Sequence, residues 1–328
     1  MSEALPSETI LHELASLWLS QGKQAQAEEG AGVLRACTMT LVVLAEESDD
    51  VTNLGETIAA LMPQHPARAI VIRLSGASDK ALQQRVYAQC WMPFGQRRQI
   101  CCEQIEIMAP DRALAGLPWV VLPLAVADLP LIVWCRSPRL LARPEFDAIA
   151  AMARKVVVDS KSMGHDALRI VTGLLDRGLL AGDLSWTRLT RWREMLAQVF
   201  ENRENLGQLR QIEQVSVYFS GEGATINWYM GAWILNALAE AGVQARLAVG
   251  DGQTGNRAPV SLEGSDFHLE LSRQQDRMTV SLNGLSRCTS LSVPTDYLLM
   301  REELDIVRRD PVFERTVASA LRLAYPKP

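Results

Sequence analysis

The sequence predicts an α/β protein: a mixed, mainly parallel sheet, or more than one, with flanking helices, in two α/β domains. Three observations predict it. Short apolar runs alternate with amphipathic stretches along most of the chain. Leu129–Trp134 is apolar without a break and Lys155–Asp159 carries three consecutive valines, as strands covered on both faces require. The length of 328 residues suits two domains of about 150 residues each.

The elements follow in order. Pro6–Leu19 reads as a helix capped by Ser7, with Ile10, Leu11, Leu14, Leu17 and Trp18 as its apolar stripe. Gln21–Gly32 is polar and Gly/Ala-rich, a linker. Val33–Leu44 is a strand ending in the acidic turn Glu46–Asp50. Val51–Met62 is a helix closed by Pro63, and Arg68–Leu74 a strand with an apolar centre. Asp79–Ala88 reads as a helix, Ile100–Met108 as a strand, and Leu114–Val126 as a buried helix. Glu145–Met152 is a short helix between the two apolar strands named above.

Asp166–Leu179 and Thr187–Phe200 are amphipathic helices. On the second, Leu189, Trp192, Leu196, Val199 and Phe200 share one face, and Arg188, Arg191 and Glu194 can share the other. Gln214–Ser220, Thr225–Ala241 and Gln244–Val249 form a strand, a helix and a strand. The pattern then shifts to alternating segments, Phe267/Leu269/Leu271 and Met278/Val280/Leu282, with Asn283-Gly284 as a hairpin turn. Two helices, Asp296–Arg309 and Pro311–Ala324, complete the set. The division is 1–32, N-terminal helix and linker; 33–165, first α/β domain; 166–328, second α/β domain with the Trp/Arg-rich helix.

Apolar residues make up 48% and charged residues 22%, which excludes a disordered or fibrous chain. A net charge of -5 argues against a general nucleic-acid coat. The first residues lack the basic and apolar regions of a signal peptide. The one membrane candidate, Ala113–Cys135, holds 15 uncharged residues at most in a row and is broken by three prolines and Asp128. No membrane role is expected, and the location is cytoplasmic. The six cysteines are too sparse for a disulfide scaffold and predict a reducing compartment, with the vicinal Cys101 and Cys102 as a possible redox pair. No metal-ligand spacing occurs around them.

Few motifs carry chemistry. Val217–Thr225 is a strand, a glycine turn and a helix start; Gly221, Gly223 and Thr225, with Asp251 at the end of the next strand, could cradle a nucleotide or phosphosugar. Ile226 occupies the third glycine position of that fingerprint, so a simple chain reversal fits as well. Gly250–Arg257 has P-loop spacing without its Lys-Ser/Thr ending. Asp128 and Asp159 bound apolar strands and suit turn or helix caps better than catalysis. No nucleophile elbow, acid/base pair or metal cluster stands out, so no catalytic residue, cofactor or metal is expected. Trp186–Arg193 is the most unusual stretch. Tryptophan and arginine dominate interface hot spots, so Trp186, Arg188, Arg191 and Arg193 are candidates for partner contact, against the plainer reading of a core tryptophan face with solvated arginines.

Several segments together resemble the glucose-6-phosphate dehydrogenase assembly protein family (OpcA). They are Arg35–Val43, His65–Val71, Cys102–Ile105, Leu122–Leu124, Asp128–Trp134, Val157–Ser160, Asp183–Arg193, Ala232–Leu235 and Asp310–Glu314. Arg191 stands where the family often has proline, and Cys135 where a second tryptophan is common. The resemblance implies a non-catalytic protein that binds glucose-6-phosphate dehydrogenase and promotes its active oligomer or its substrate response in the oxidative pentose phosphate pathway.

Overall fold

The computed structural model describes residues 7–27, 32–76, 83–93, 99–221, 223–250 and 258–326. The chain divides into two compact units, Met1–Val158 with Leu179–Ala181, and Asp159–Gly178 with Gly182–Pro328.

The first unit is built on an eight-stranded sheet. Its strands are β1 (Val33–Arg35), β2 (Met39–Glu46), β3 (Ala67–Leu74), β4 (Gln83–Trp91), β5 (Gln99–Ala109), β6 (Leu131–Cys135), β7 (Lys155–Val158) and β8 (Leu180–Asp183). The order is β1-β5-β3-β2-β6-β7-β8, with β4 paired to β5. The β1/β5, β5/β3, β3/β2, β2/β6 and β6/β7 pairs are parallel and β4/β5 is antiparallel. Every residue of β3 and β6 is buried, as is all of β2 but its last residue, which explains their unbroken apolar runs. Each such Val, Leu or Ile contributes roughly 1.5–3 kcal/mol of burial.

The helices of this unit are α1 (Ser7–Ala27), α2 (Val51–Leu61), α3 (Leu117–Leu124), α4 (Pro138–Leu141) and α5 (Pro144–Ala150). Asp50 caps α2 by accepting from the Thr52 and Asn53 amides at 2.9 and 3.2 Å.

In the second unit, a six-stranded sheet runs β10-β9-β11-β12-β13-β14. The strands are β9 (Ile212–Val217), β10 (Arg246–Val249), β11 (Val260–Gly264), β12 (His268–Gln274), β13 (Arg277–Leu282) and β14 (Leu285–Ser290). Only β9/β10 is parallel, because α10 (Ala224–Glu240) supplies the crossover between them. The other pairs are antiparallel. The Asn283-Gly284 hairpin turn forms with φ of 48° and 84°, the left-handed pair that this dipeptide favours. The remaining helices are α6 (Ala167–Asp176), α7 (Leu184–Thr187), α8 (Thr190–Val199), α9 (Arg203–Gln208), α11 (Asp296–Asp305) and α12 (Pro311–Ala324). α12 packs against α10 and α6.

The α/β class, with one mainly parallel sheet, is as predicted. Several local readings are corrected. Residues 83–91 form β4, not a helix; antiparallel pairing to β5 overrides a modest helical pattern. Helix α1 continues to Ala27 through much of the expected linker. Val33–Leu44 is two strands, broken at residues 36–38, with different neighbours. The expected buried helix at 114–126 is a 3-10 turn over Asp111–Gly116 followed by α3, and α3 leaves Trp119 77% exposed. The helix expected over 187–200 breaks between α7 and α8 at Arg188 and Leu189.

The cysteines depart from the expectation of reduced thiols at one pair. Cys101 lies opposite Cys90 in the β4/β5 register and forms a disulfide with it, whereas the adjacent residue Cys102 points to the other face. Cys102 is buried, which pushes its thiol up to about 11.

Candidate functional site

The polar centre of the second unit grows from two carboxylates. Asp159 directly follows β7, and Asp183 is the last residue of β8. Both act as caps. Asp159 accepts from the Lys161 amide at 3.2 Å, and Asp183 accepts from the Ser185 amide at 2.9 Å. Asp183 also accepts from the Ser160 amide at 3.0 Å and the Tyr229 hydroxyl at 2.9 Å. Ser185 links the two, because its hydroxyl donates to Asp159 at 3.2 Å.

The electrostatics of the pair diverge. Asp159 faces Arg188, which forms two parallel bonds to it, both at 2.7 Å. Burial works against its charge, but Arg188, the Lys161 amide and the Ser185 hydroxyl outweigh burial and hold the carboxyl below its usual range. Asp183 has no cation among these partners. Burial first, and the neighbouring Asp159 charge second, push its carboxyl up to about 6. The Tyr229 hydroxyl is raised well above its usual value by the same burial and by Asp183.

The Trp/Arg segment surrounds this centre. Trp186 is 3% exposed and packs edge-on to Tyr229 and tilted against Phe313, at 6.2 and 5.7 Å between ring centroids. Its indole N–H donates to Asp310 at 3.3 Å, and Asp310 caps α12 through the Val312 and Phe313 amides. The Arg193 guanidinium lies 3.5 Å from the Trp186 ring centroid. Burial lowers Arg193 to about 10, with the nearby carboxylates opposing it. Thr187 donates to Glu303, and Thr190 to Glu302. Arg191 is exposed, paired only locally to Glu194 at 2.7 Å.

Trp186 is therefore a core residue, Arg188 and Arg193 are half-buried, and Arg191 is the member of the four that faces solvent. The structure does bring Arg188 and Trp186 into one network. The sequence reading missed Tyr229, Asp310 and Glu303 as its members, and Asp183, close in sequence to the arginines, takes two amides and the Tyr229 hydroxyl rather than an arginine. The available signal was a capping aspartate before each helix start, at Asp183-Leu184-Ser185 and Asp310-Pro311.

The Gly221–Thr225 turn lies between β9 and α10, as expected. Gly221 and Gly223 both adopt positive φ, 71° and 81°. A Cβ on Gly223 would sit 3.2 Å from the Lys161 carbonyl oxygen, so close backbone packing already uses its lack of a side chain. Thr225 is buried. Asn227 ties the turn down. It accepts from the Phe219 amide at 2.6 Å and donates to the carbonyls of Phe219 and Gly250 at 3.3 and 3.1 Å. Asp251 and most of the P-loop-like segment lie outside the described residues. Among the described residues, no group of three or more His, Cys, Asp or Glu could hold a metal, and no helix is long and apolar enough to cross a membrane.

The first unit has its own buried carboxylate, Glu103 on β5. It takes Arg68 and the Trp18 indole as partners, with Arg35 at 2.8 Å.

Comparison with known proteins places the chain. The family profile for the glucose-6-phosphate dehydrogenase subunit N-terminal domain matches residues 58–172, and that for its C-terminal domain matches residues 180–317. The chain is 28% identical over 194 residues to the OxPP cycle protein OpcA of Synechocystis sp., covering 57% of this chain and 39% of that protein. It is 27% identical over 182 residues to the protein of the same name in Nostoc punctiforme, covering 53% and 38%. The matched stretch thus spans about two fifths of those relatives. Among solved structures, a 3-ketoreductase from Actinomadura kijaniata aligns with a TM-score of 0.49 at 12% identity, covering 87% of this chain and 96% of that one. A biliverdin reductase from Synechocystis aligns at 0.43 and 9%, covering 87% and 97%. The two family matches run in order over most of the sequence, and the chain belongs to the OpcA family of glucose-6-phosphate dehydrogenase assembly proteins.

Proposed function

We propose that this protein is a cytoplasmic, non-catalytic partner of a glucose-6-phosphate dehydrogenase in the oxidative pentose phosphate pathway. It binds the dehydrogenase and favours its active oligomer or its response to substrate. The observation that carries this reading is the ordered match of both domain profiles of that family. In physical terms the protein binds the competent state of the enzyme more tightly than the other state, and shifts the population by that difference.

The Trp186–Arg193 segment is our candidate for part of the contact. Arg191 presents a charge to solvent, while Arg188 and Arg193 are held by Asp159 and the Trp186 ring. Arginines fixed before binding lose less side-chain freedom when a partner arrives. Trp186 acts through what it positions. The experiment is sedimentation of this protein mixed with dehydrogenase from the same organism. A heavier joint species, weakened by Arg191→Glu, supports the reading. Independent sedimentation of the two at micromolar concentration contradicts it.

A further inference from the structure

A cleft of about 400 Å³ opens in the second unit, within the size range of small-molecule sites. Its wall includes three cations from separate elements: Lys161 after β7, Arg188 between α7 and α8, and Arg273 on β12. Among the described residues Asp296 is the acidic residue on the wall, and Tyr218 and Ser220, which carry hydroxyls, also line it. Counting Asp159, which pairs with Arg188, the described residues give the cleft three cations to two carboxylates, in a chain whose net charge is -5.

Two features fix these groups in place. The double bond to Asp159 holds Arg188, whose side chain is only 14% exposed. Close packing of Gly223 on the Lys161 backbone sets Lys161 beside the start of α10, and Ile226 from that first turn forms part of the wall. Helix α10 has 17 residues and no side-chain cap, so its first amides add positive potential at the same end.

We infer that this cleft binds a phosphorylated sugar. The cations receive the phosphate dianion, Arg188 as a planar donor and Lys161 and Arg273 as further charges. Tyr218, Ser220 and Asp296 receive sugar hydroxyls. Binding at this site is a property of the chain alone and does not depend on the dehydrogenase reading.

The test is calorimetric titration of the full chain, without dehydrogenase, using glucose 6-phosphate, inorganic phosphate and glucose. The expected result is saturable binding of glucose 6-phosphate, tighter than inorganic phosphate, with no binding of glucose. The double variant Lys161→Gln, Arg273→Gln should weaken it about tenfold or more while leaving the thermal midpoint in place. Three results would overturn the inference: no saturation by glucose 6-phosphate at millimolar concentration, inorganic phosphate binding as tightly as the ester, or undiminished binding by the double variant.

Discussion

Glu103 in the first unit and Asp183 in the second are both buried carboxylates, 3% and 0% exposed, yet they are satisfied in opposite ways. Glu103 takes two arginines and an indole. Asp183 takes two amides and a phenol, beside the charged Asp159. The first balances charge with charge. The second supplies dipoles only, so burial is incompletely offset and its proton affinity rises. In the first unit the buried carboxylate thus joins β5 to Arg68 on β3, Arg35 on β1 and Trp18 on α1. The second carries a carboxyl pushed up to about 6 beside its Trp/Arg segment.

The comparison is sharpest where charge is removed. Glu103→Gln leaves Arg68, 8% exposed, without its carboxylate, and should cost about 3–5 kcal/mol of stability, measured by denaturant unfolding. Asp183→Asn removes a charge that burial disfavours, and the signs differ from Glu103. The folded pKa of Asp183 lies above its unfolded value of 3.8, so between about pH 4 and 6 the native state keeps a proton that the unfolded chain has lost. Its contribution to stability therefore falls as pH rises through that window. The variant should lose this fall and gain up to about 3 kcal/mol at pH 7.5 relative to the parent, read from unfolding at several pH values. Asp159 works the other way: its lowered carboxyl contributes stability at neutral pH that is lost below about pH 4. An Asp183→Asn protein with the parental slope between pH 4 and 6 would break the comparison.

Smaller effects separate scaffold from surface. Trp186→Phe removes the indole bond to Asp310 and should cost about 1–2 kcal/mol in thermal or denaturant unfolding. Arg191→Ala loses one exposed pair and should change stability by less than about 0.5 kcal/mol. If Arg191 contacts the dehydrogenase, the same variant should nonetheless weaken association in sedimentation.

What the sequence made legible follows from how local each signal is. The unbroken apolar runs of β6 and β7 and the Asn283-Gly284 turn depend on neighbouring residues, and they were readable. Strand β4 was not, because its structure comes from pairing with β5, whose partners run from Ile100 opposite Trp91 to Met108 opposite Gln83. The break at Arg188 between α7 and α8 was hidden because both helices keep an apolar face. The Trp/Arg stretch stands out by composition, but its burial depends on Tyr229, Phe313 and Asp310, which lie far along the chain. The Cys90–Cys101 pairing needed the β4/β5 register, which spacing alone does not give. Trp119 lies within Leu114–Val126, which reads as a buried helix, and a stretch apolar on all sides does not reveal which side meets solvent.

The most direct test of the central claim is an activity titration. Increasing amounts of this protein are added to purified glucose-6-phosphate dehydrogenase from the same organism, and NADPH formation is followed at low glucose 6-phosphate, with this protein alone as control. The account predicts saturable activation and no activity in the control. An unchanged dehydrogenase rate at saturating amounts of this protein, or NADPH formation by this protein alone, would contradict it.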